Sequence, residues 1–175
     1  MKIVRKLLLL PYMWLTRSLE ITVMIIMAVL VIDVLLQVFT RKILETPWGW
    51  TDELAKMLLI WLSLLGAAVG FLRKGHLGVD YFVNKLPHKS KIIAEIIVYL
   101  LIAIFSASIL IFGGYLLASS TLKTGQLSPA MQIEWGYVYL ALPISGCFIL
   151  IFSIEMIIKS ISLLMRKTAE DVKGQ

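Results

Sequence analysis

Asp33 is the only charged residue in the run Ile21 to Thr40. A carboxylate near the centre of a membrane-crossing helix costs about 2.5–3.5 kcal/mol on insertion scales. Alone it would suit a proton or a cation. Gln37 and Arg41 follow at steps of four, and residues four apart share a helix face. The spacing predicts a polar seam, Asp33–Gln37–Arg41, that meets another helix and is satisfied there. No second carboxylate joins that face within the run, which is poor provision for coupling to an ion.

A second charged group is Asp52, Glu53 and Lys56. Their i,i+4 and i,i+3 spacing allows ion pairs on one helix. Thr51 or Asp52 is placed to cap its first amides. The expectation is an anchored helix end, with contact to a partner subunit as the other reading. His76 and His88 are the only histidines. Zinc would need more ligands than the nearby Asp80, and a bis-His haem would need its ligands facing each other in a bundle. No metal, haem or other cofactor is expected. Gly75 and Gly78 instead suggest a tight turn that carries His76 near Asp80. The single cysteine, Cys147, excludes an internal disulfide and reads as a packing residue. Gly-x-Ser-x-Gly, His-Glu-x-x-His and a phosphate-binding glycine loop are all absent. That absence counts against a membrane enzyme and a primary pump.

The elements that hold these residues are set by composition. Hydrophobic residues make up 59% of the 175 and charged residues 16%, against about 45–50% and about 25% in soluble domains. The excess lies in runs long enough to cross a bilayer, which takes about 20 residues at 1.5 Å each. The sequence predicts an all-α integral membrane protein of one domain, 1–175. Its four spans are placed at about 20–40, 54–72, 93–120 and 135–158. Loop 73–91 separates the middle spans, and loops 41–53 and 121–134 lie at the other side. The third run, Ile96 to Leu122, holds no charge and exceeds a bilayer's need, so tilt or an extension beyond it is expected. Lys2, Arg5 and Lys6 before Leu7 to Leu10 imitate a signal peptide, but Pro11, Tyr12, Met13, Trp14 and Arg17 follow in place of a small-residue cleavage site. Residues 2–17 read as a short amphipathic interfacial helix, its cations on lipid phosphates and Trp14 in the headgroup boundary.

Lys and Arg counts set the orientation. Lys2, Arg5, Lys6 and Arg17 flank the amino end, Arg73, Lys74, Lys85, Lys89 and Lys91 the middle loop, and Lys159, Arg166, Lys167 and Lys173 the carboxyl end. Only Arg41, Lys42 and Lys123 stand in the other two loops. Thirteen against three puts both ends and the middle loop in the cytoplasm. The net charge of +6 is therefore a topology signal, and no nucleic-acid partner is expected. Trp48, Trp50, Trp135, Tyr137 and Tyr139 then gather at the outer interface.

Small and polar residues mark the packing faces, since lipid is as apolar as leucine. Glu53, Lys56, Ser63, Ala67 and Gly70 share a face of the second helix, with Gly66 and Gly70 as a Gly-x-x-x-Gly pair. Glu95, Tyr99, Ser106 and Gly113 align in the third, and Gly136, Tyr139, Pro143, Gly146 and Ser153 in the fourth. Pro143 is expected to kink its helix.

From Gln37 onward the order of residues carries a resemblance. Gln37-Val38-Phe39-x-Arg41 precedes Trp50-Thr51-Asp52-Glu53-Leu54-Ala55-Lys56, then Trp61, Gly66-Ala67-Ala68, Arg73-x-x-His76-x-x-Val79-Asp80, Leu86-Pro87 and Tyr137-Val138-Tyr139-x-x-x-Pro143-Ile144. Over residues 20–160 this resembles the small membrane subunit of tripartite ATP-independent periplasmic (TRAP) transporters, the DctQ-like family. Thr40 departs from the bulkier residue expected there. The resemblance implies a bacterial inner-membrane scaffold that binds a large multi-span permease subunit. That permease imports a carboxylate, such as a C4-dicarboxylate or sialic acid, on a sodium gradient. A periplasmic substrate-binding protein delivers it. Asp33, Gln37, Arg41, Glu53, Lys56, Ser63, Gly66, Gly70, His76 and Asp80 are then candidates for packing and the subunit interface. Arg41, Lys42, Trp48, Trp50, Lys123 and Gln126 are candidates for docking the binding protein. Membrane lipids are the remaining partner. The competing class is an independent small homo-oligomeric transporter or a membrane enzyme. A self-sufficient transporter should offer paired charges or broken helices at mid-membrane.

Overall fold

The computed structural model describes residues 2–43, 48–73 and 88–173, with side chains at 14–43, 48–73 and 90–165. His76, Asp80 and the turn expected at Gly75 and Gly78 lie outside the described residues.

Helix α1 runs Lys2–Lys42 without a break. The arm expected at 2–17 is thus continuous with the first span and not a separate element. No glycine precedes Gly49, and Pro11 alone is a poor helix former here, so nothing stops propagation. Helix α2 is Gly49–Leu72. The third span is α3, His88–Phe105, then a stretch of widened i→i+5 turns, Ser106–Gly113, then α4, Gly114–Thr124. The fourth is α5, Trp135–Tyr139, followed by α6, Ala141–Lys173. Trp14–Lys42, Gly49–Leu72, Ser90–Thr124 and Trp135–Met165 are each long and apolar enough to cross a membrane. The disturbance expected of Pro143 is a break in the helix one turn before it. The chain stops at Leu140 and restarts at Ala141. Pro143 then sits in a first turn, where its own missing amide would have had no partner within that helix.

The chain divides into two compact units, Met1–Val69 with Leu117–Ala141, and Gly70–Leu116 with Leu142–Gln175. The first buries Leu19, Met57, Leu65 and Ala68 together with Asp33, Thr40, Thr51, Thr121 and Ser128. The second buries Phe71, Ile92, Phe152 and Met156 with Ser106, Ser145, Ser153 and Ser160. Met24, Ile25, Leu35, Ile104 and Phe112 are exposed. Large apolar groups outside and small hydroxyls inside is the pattern a lipid solvent favours.

Candidate functional site

The end of the first unit that carries the 125–135 loop is built on α2. The helix begins two residues before Thr51, so Thr51 and Asp52 lie within its first turn and do not precede it as caps. The Thr51 hydroxyl instead donates to the Trp48 carbonyl at 2.8 Å. Asp52 faces Arg41 at 4.0 Å, with both side chains largely in solvent, a pair of small energetic weight. Glu53 does not pair with Lys56. Its carboxylate accepts from the Ser128 hydroxyl, from the Ala130 amide at 2.9 Å and from the Met131 amide at 2.9 Å.

Those donors sit on a short closed loop. Gly125, at φ +60°, ends α4 with its amide on the Leu122 carbonyl at 3.2 Å. An antiparallel bridge joins Leu127 to Glu134, with the Ser128 amide on Ile133 at 2.8 Å and the Trp135 amide on Gln126 at 3.0 Å. Glu53 thereby ties the loop to the start of α2, and a Cβ at Gly49 would lie 3.6 Å from that of Ala130. Ser128 is a residue of this site that the sequence reading missed. Ser128-Pro129 is a turn signal and pointed to the loop, but nothing local showed that Glu53 would be its partner.

The candidate docking residues Arg41, Lys42, Trp48, Trp50, Lys123 and Gln126 are all exposed and all in this unit. Trp48 and Trp50 stack at 6.0 Å. Cations and aromatics on a fixed loop can bind a surface; they supply neither nucleophile nor general base. Among the described residues no cluster of three His, Cys, Asp or Glu is placed to hold a metal.

The polar seam is differently built than its spacing suggested. The inward face of α1 is Leu19, Val23, Ile26, Leu30, Asp33, Gln37 and Thr40, alternating steps of four and three. That is a 3.5-residue period, so the face passes to Thr40 and leaves Arg41 exposed. Asp33 is 3% exposed, and neither carboxylate oxygen has a hydrogen-bond partner. Lys56 is exposed and makes no ion pair among the described residues.

The face of α2 named from sequence divides: Glu53 meets the loop, whereas the remainder is exposed or half-exposed among the described residues. Lys56, Leu59, Ser63, Ala67 and Gly70 are exposed and Gly66 half-exposed. Ser63 satisfies its hydroxyl on the Leu59 carbonyl at 2.7 Å. A Cβ added at Gly66 or Gly70 would meet nothing within 4 Å. The close contacts lie elsewhere. In the second unit, a Cβ at Gly146 would stand 2.8 Å from Leu110 Cβ, and one at Gly114 2.7 Å from Leu142 Cβ. The buried Ser106 hydroxyl donates to the Gly146 carbonyl at 2.7 Å. In the first unit, a Cβ at Gly136 would stand 2.4 Å from Leu122 Cγ. Gly114, and not the expected Gly113, makes the third helix's approach, because the widened turns move the face by one residue.

These features define an all-α integral membrane protein with four long apolar helices. Residues 30–163 match the family described as tripartite ATP-independent periplasmic transporters, DctQ component. The chain belongs to that family, a transporter component and not an enzyme, and is a multi-pass protein of the bacterial inner membrane. It is 29% identical over 147 residues to the sialic acid TRAP transporter small permease protein SiaQ of Vibrio cholerae, covering 83% of each chain. It is 28% identical over 153 residues to a putative TRAP transporter small permease protein of Haemophilus influenzae, covering 87% of this chain and 93% of that one. A third relative is the isethionate TRAP transporter permease protein DctMQ of Oleidesulfovibrio alaskensis. There 32% identity over 96 residues takes in 55% of this chain but only 15% of the relative.

Proposed function

We propose that this chain is the scaffold subunit of a sodium-coupled importer of an organic acid, holding a large permease subunit against it and helping to receive a periplasmic binding protein. The observation that carries the reading is the exposed small-residue face of α2. Gly66 and Gly70 leave room that nothing among the described residues fills. Small residues facing lipid gain no packing, whereas a second helix approaching them does. The match to 15% of a much longer permease protein supports a permease as that helix's owner. Names of relatives attach sialic acid in one case and isethionate in another, both organic anions, to chains of this kind. No described group on this chain selects between them, so selection is assigned to the other components.

Purification from native membranes tests the reading. A tagged form should elute with a much larger multi-span chain. Elution alone, as a homo-oligomer, would replace the scaffold with an independent transporter. Orientation is tested in a Cys147→Ala background. An impermeant thiol reagent applied to intact cells should label Thr124→Cys and leave Ser90→Cys unlabelled.

Docking by the outer loop rests on exposed Lys42 and Lys123 beside the stacked tryptophans. Rim charges act chiefly on association rate. Lys42→Glu with Lys123→Glu should slow uptake at limiting binding protein and recover partly when it is in excess. Uptake equal to wild type at every concentration would assign reception to the large subunit.

A further inference from the structure

Trp14, Arg17, Ser18 and Ile21 follow one another at steps of three, one and three, a single stripe on α1. They line a half-open cavity of about 330 Å³ with a mostly apolar wall. The stripe lies off the inward face, which passes through Leu19 and Val23. Trp14 is 77% exposed and Ile21 43% exposed. The Arg17 guanidinium has no ion pair or hydrogen bond among the described residues, whereas the Ser18 hydroxyl is committed to the Leu15 carbonyl at 2.9 Å.

We infer that this cavity is a binding site for one anionic glycerophospholipid. The levels along the helix fit that ligand. Four residues span about 6 Å of rise, so Ile21 sits one turn deeper than Arg17, and Trp14 most of a turn shallower. The long Arg17 side chain extends back toward the helix amino end, the direction in which helical side chains lean, and brings its fork to the level of Trp14. A planar guanidinium matches a phosphate diester with two parallel hydrogen bonds. Ser18 is small and leaves the gap open between Arg17 and Ile21, where an acyl chain can lie. Indole belongs at the glycerol and headgroup level. Charge complementarity favours an anionic over a zwitterionic lipid, because the zwitterion's own ammonium competes for the phosphate. The same end of the chain carries Lys2, Arg5 and Lys6. The inference is independent of the scaffold role, since it concerns a stripe on α1 and not the open face of α2.

The test uses the intact membrane complex, purified and equilibrated in mixed micelles with equal amounts of phosphatidylglycerol and phosphatidylcholine. Retained lipid is counted by native mass spectrometry. A single cation near a membrane surface contributes about 1 kcal/mol toward anionic lipid, or roughly a fivefold preference. Wild type should retain one phosphatidylglycerol with about that preference. Arg17→Gln should bring the ratio close to one, Arg17→Lys should keep part of it, and Trp14→Ala should lower retention of both lipids. A wild-type ratio close to one overturns the proposal without any variant. A preference that survives Arg17→Gln in an assembled complex also overturns it, by locating the anion at other cations. Assembly is read separately by co-elution of the large chain, so loss of the scaffold and loss of the lipid are distinct results.

Discussion

Two sets of glycines in this chain occupy opposite surroundings. At Gly114 and Gly146 the place a side chain would take is already filled, by Leu142 and Leu110 respectively. At Gly66 and Gly70 it is empty. Both sets look alike in sequence, since each is a glycine within a long apolar helix. A small residue therefore marks close approach without saying whose helix approaches. Where the chain itself supplies the neighbour the contact is closed. Where no described residue does, the face is open.

The largest effect should come from closing the filled set. Gly146→Leu inserts four carbons against Leu110 and Ile111, and overpacking of this kind costs about 3 kcal/mol. The isolated subunit should lose roughly 6–12 °C in Tm. A Tm within a degree of wild type would mean that the helices separate without cost, and the contrast with Gly66 would be gone. Next in size is Asp33, which is buried like the closed contacts but unpartnered like the open face. Asp33→Leu removes the penalty of an unsatisfied buried carboxyl, about 1–3 kcal/mol, and should raise the Tm. A fall in the Tm of the isolated subunit would show that the carboxyl is satisfied within it. Asp33→Asn in reconstituted vesicles should leave the steepness of the sodium dependence unchanged. An altered stoichiometry would move Asp33 into the ion path.

Ser106→Ala should cost about 1 kcal/mol, the scale of a hydrogen bond between membrane helices, read as a small drop in Tm of the isolated subunit. The smallest effect on that subunit belongs to Gly66→Leu and Gly70→Leu, whose new side chains meet nothing within 4 Å. Their Tm should match wild type while recovery of the large chain in co-purification falls. If recovery is unchanged, α2 faces lipid on this side, and the interface has to be sought on another helix.

The number of spans was legible because a bilayer demands length and hydropathy, and both are local properties. The span ends were less so. The third helix reaches Thr124, past the span end placed at 120, and its long uncharged run calls for tilt or an extension. The face of α2 was legible from the spacing of Ser63, Gly66, Ala67 and Gly70, though its exposure was not, since burial depends on where the other helices lie. Arg41 was misplaced by one residue because the α1 face keeps a 3.5 and not a four-residue step. Glu53 was singled out, yet its partners stand 75 to 78 residues away, beyond any periodicity argument.

The inward residues of the third span run Ser106, Leu110, Gly114 and Ala118, at even steps of four. A regular α-helix would carry each step about 40° past the last. The widened turns at Ser106–Gly113 absorb that drift and hold the row against its neighbour. In effect the chain carries one residue more than a straight helix along the same path would need. Such an excess is a frame offset in this chain's third span. A homologue one residue shorter here would relax to an ordinary helix and keep both halves of the span in phase with their contacts. An alignment gap of one residue between Ser106 and Gly113 would then be a change of pitch, and not a missing part.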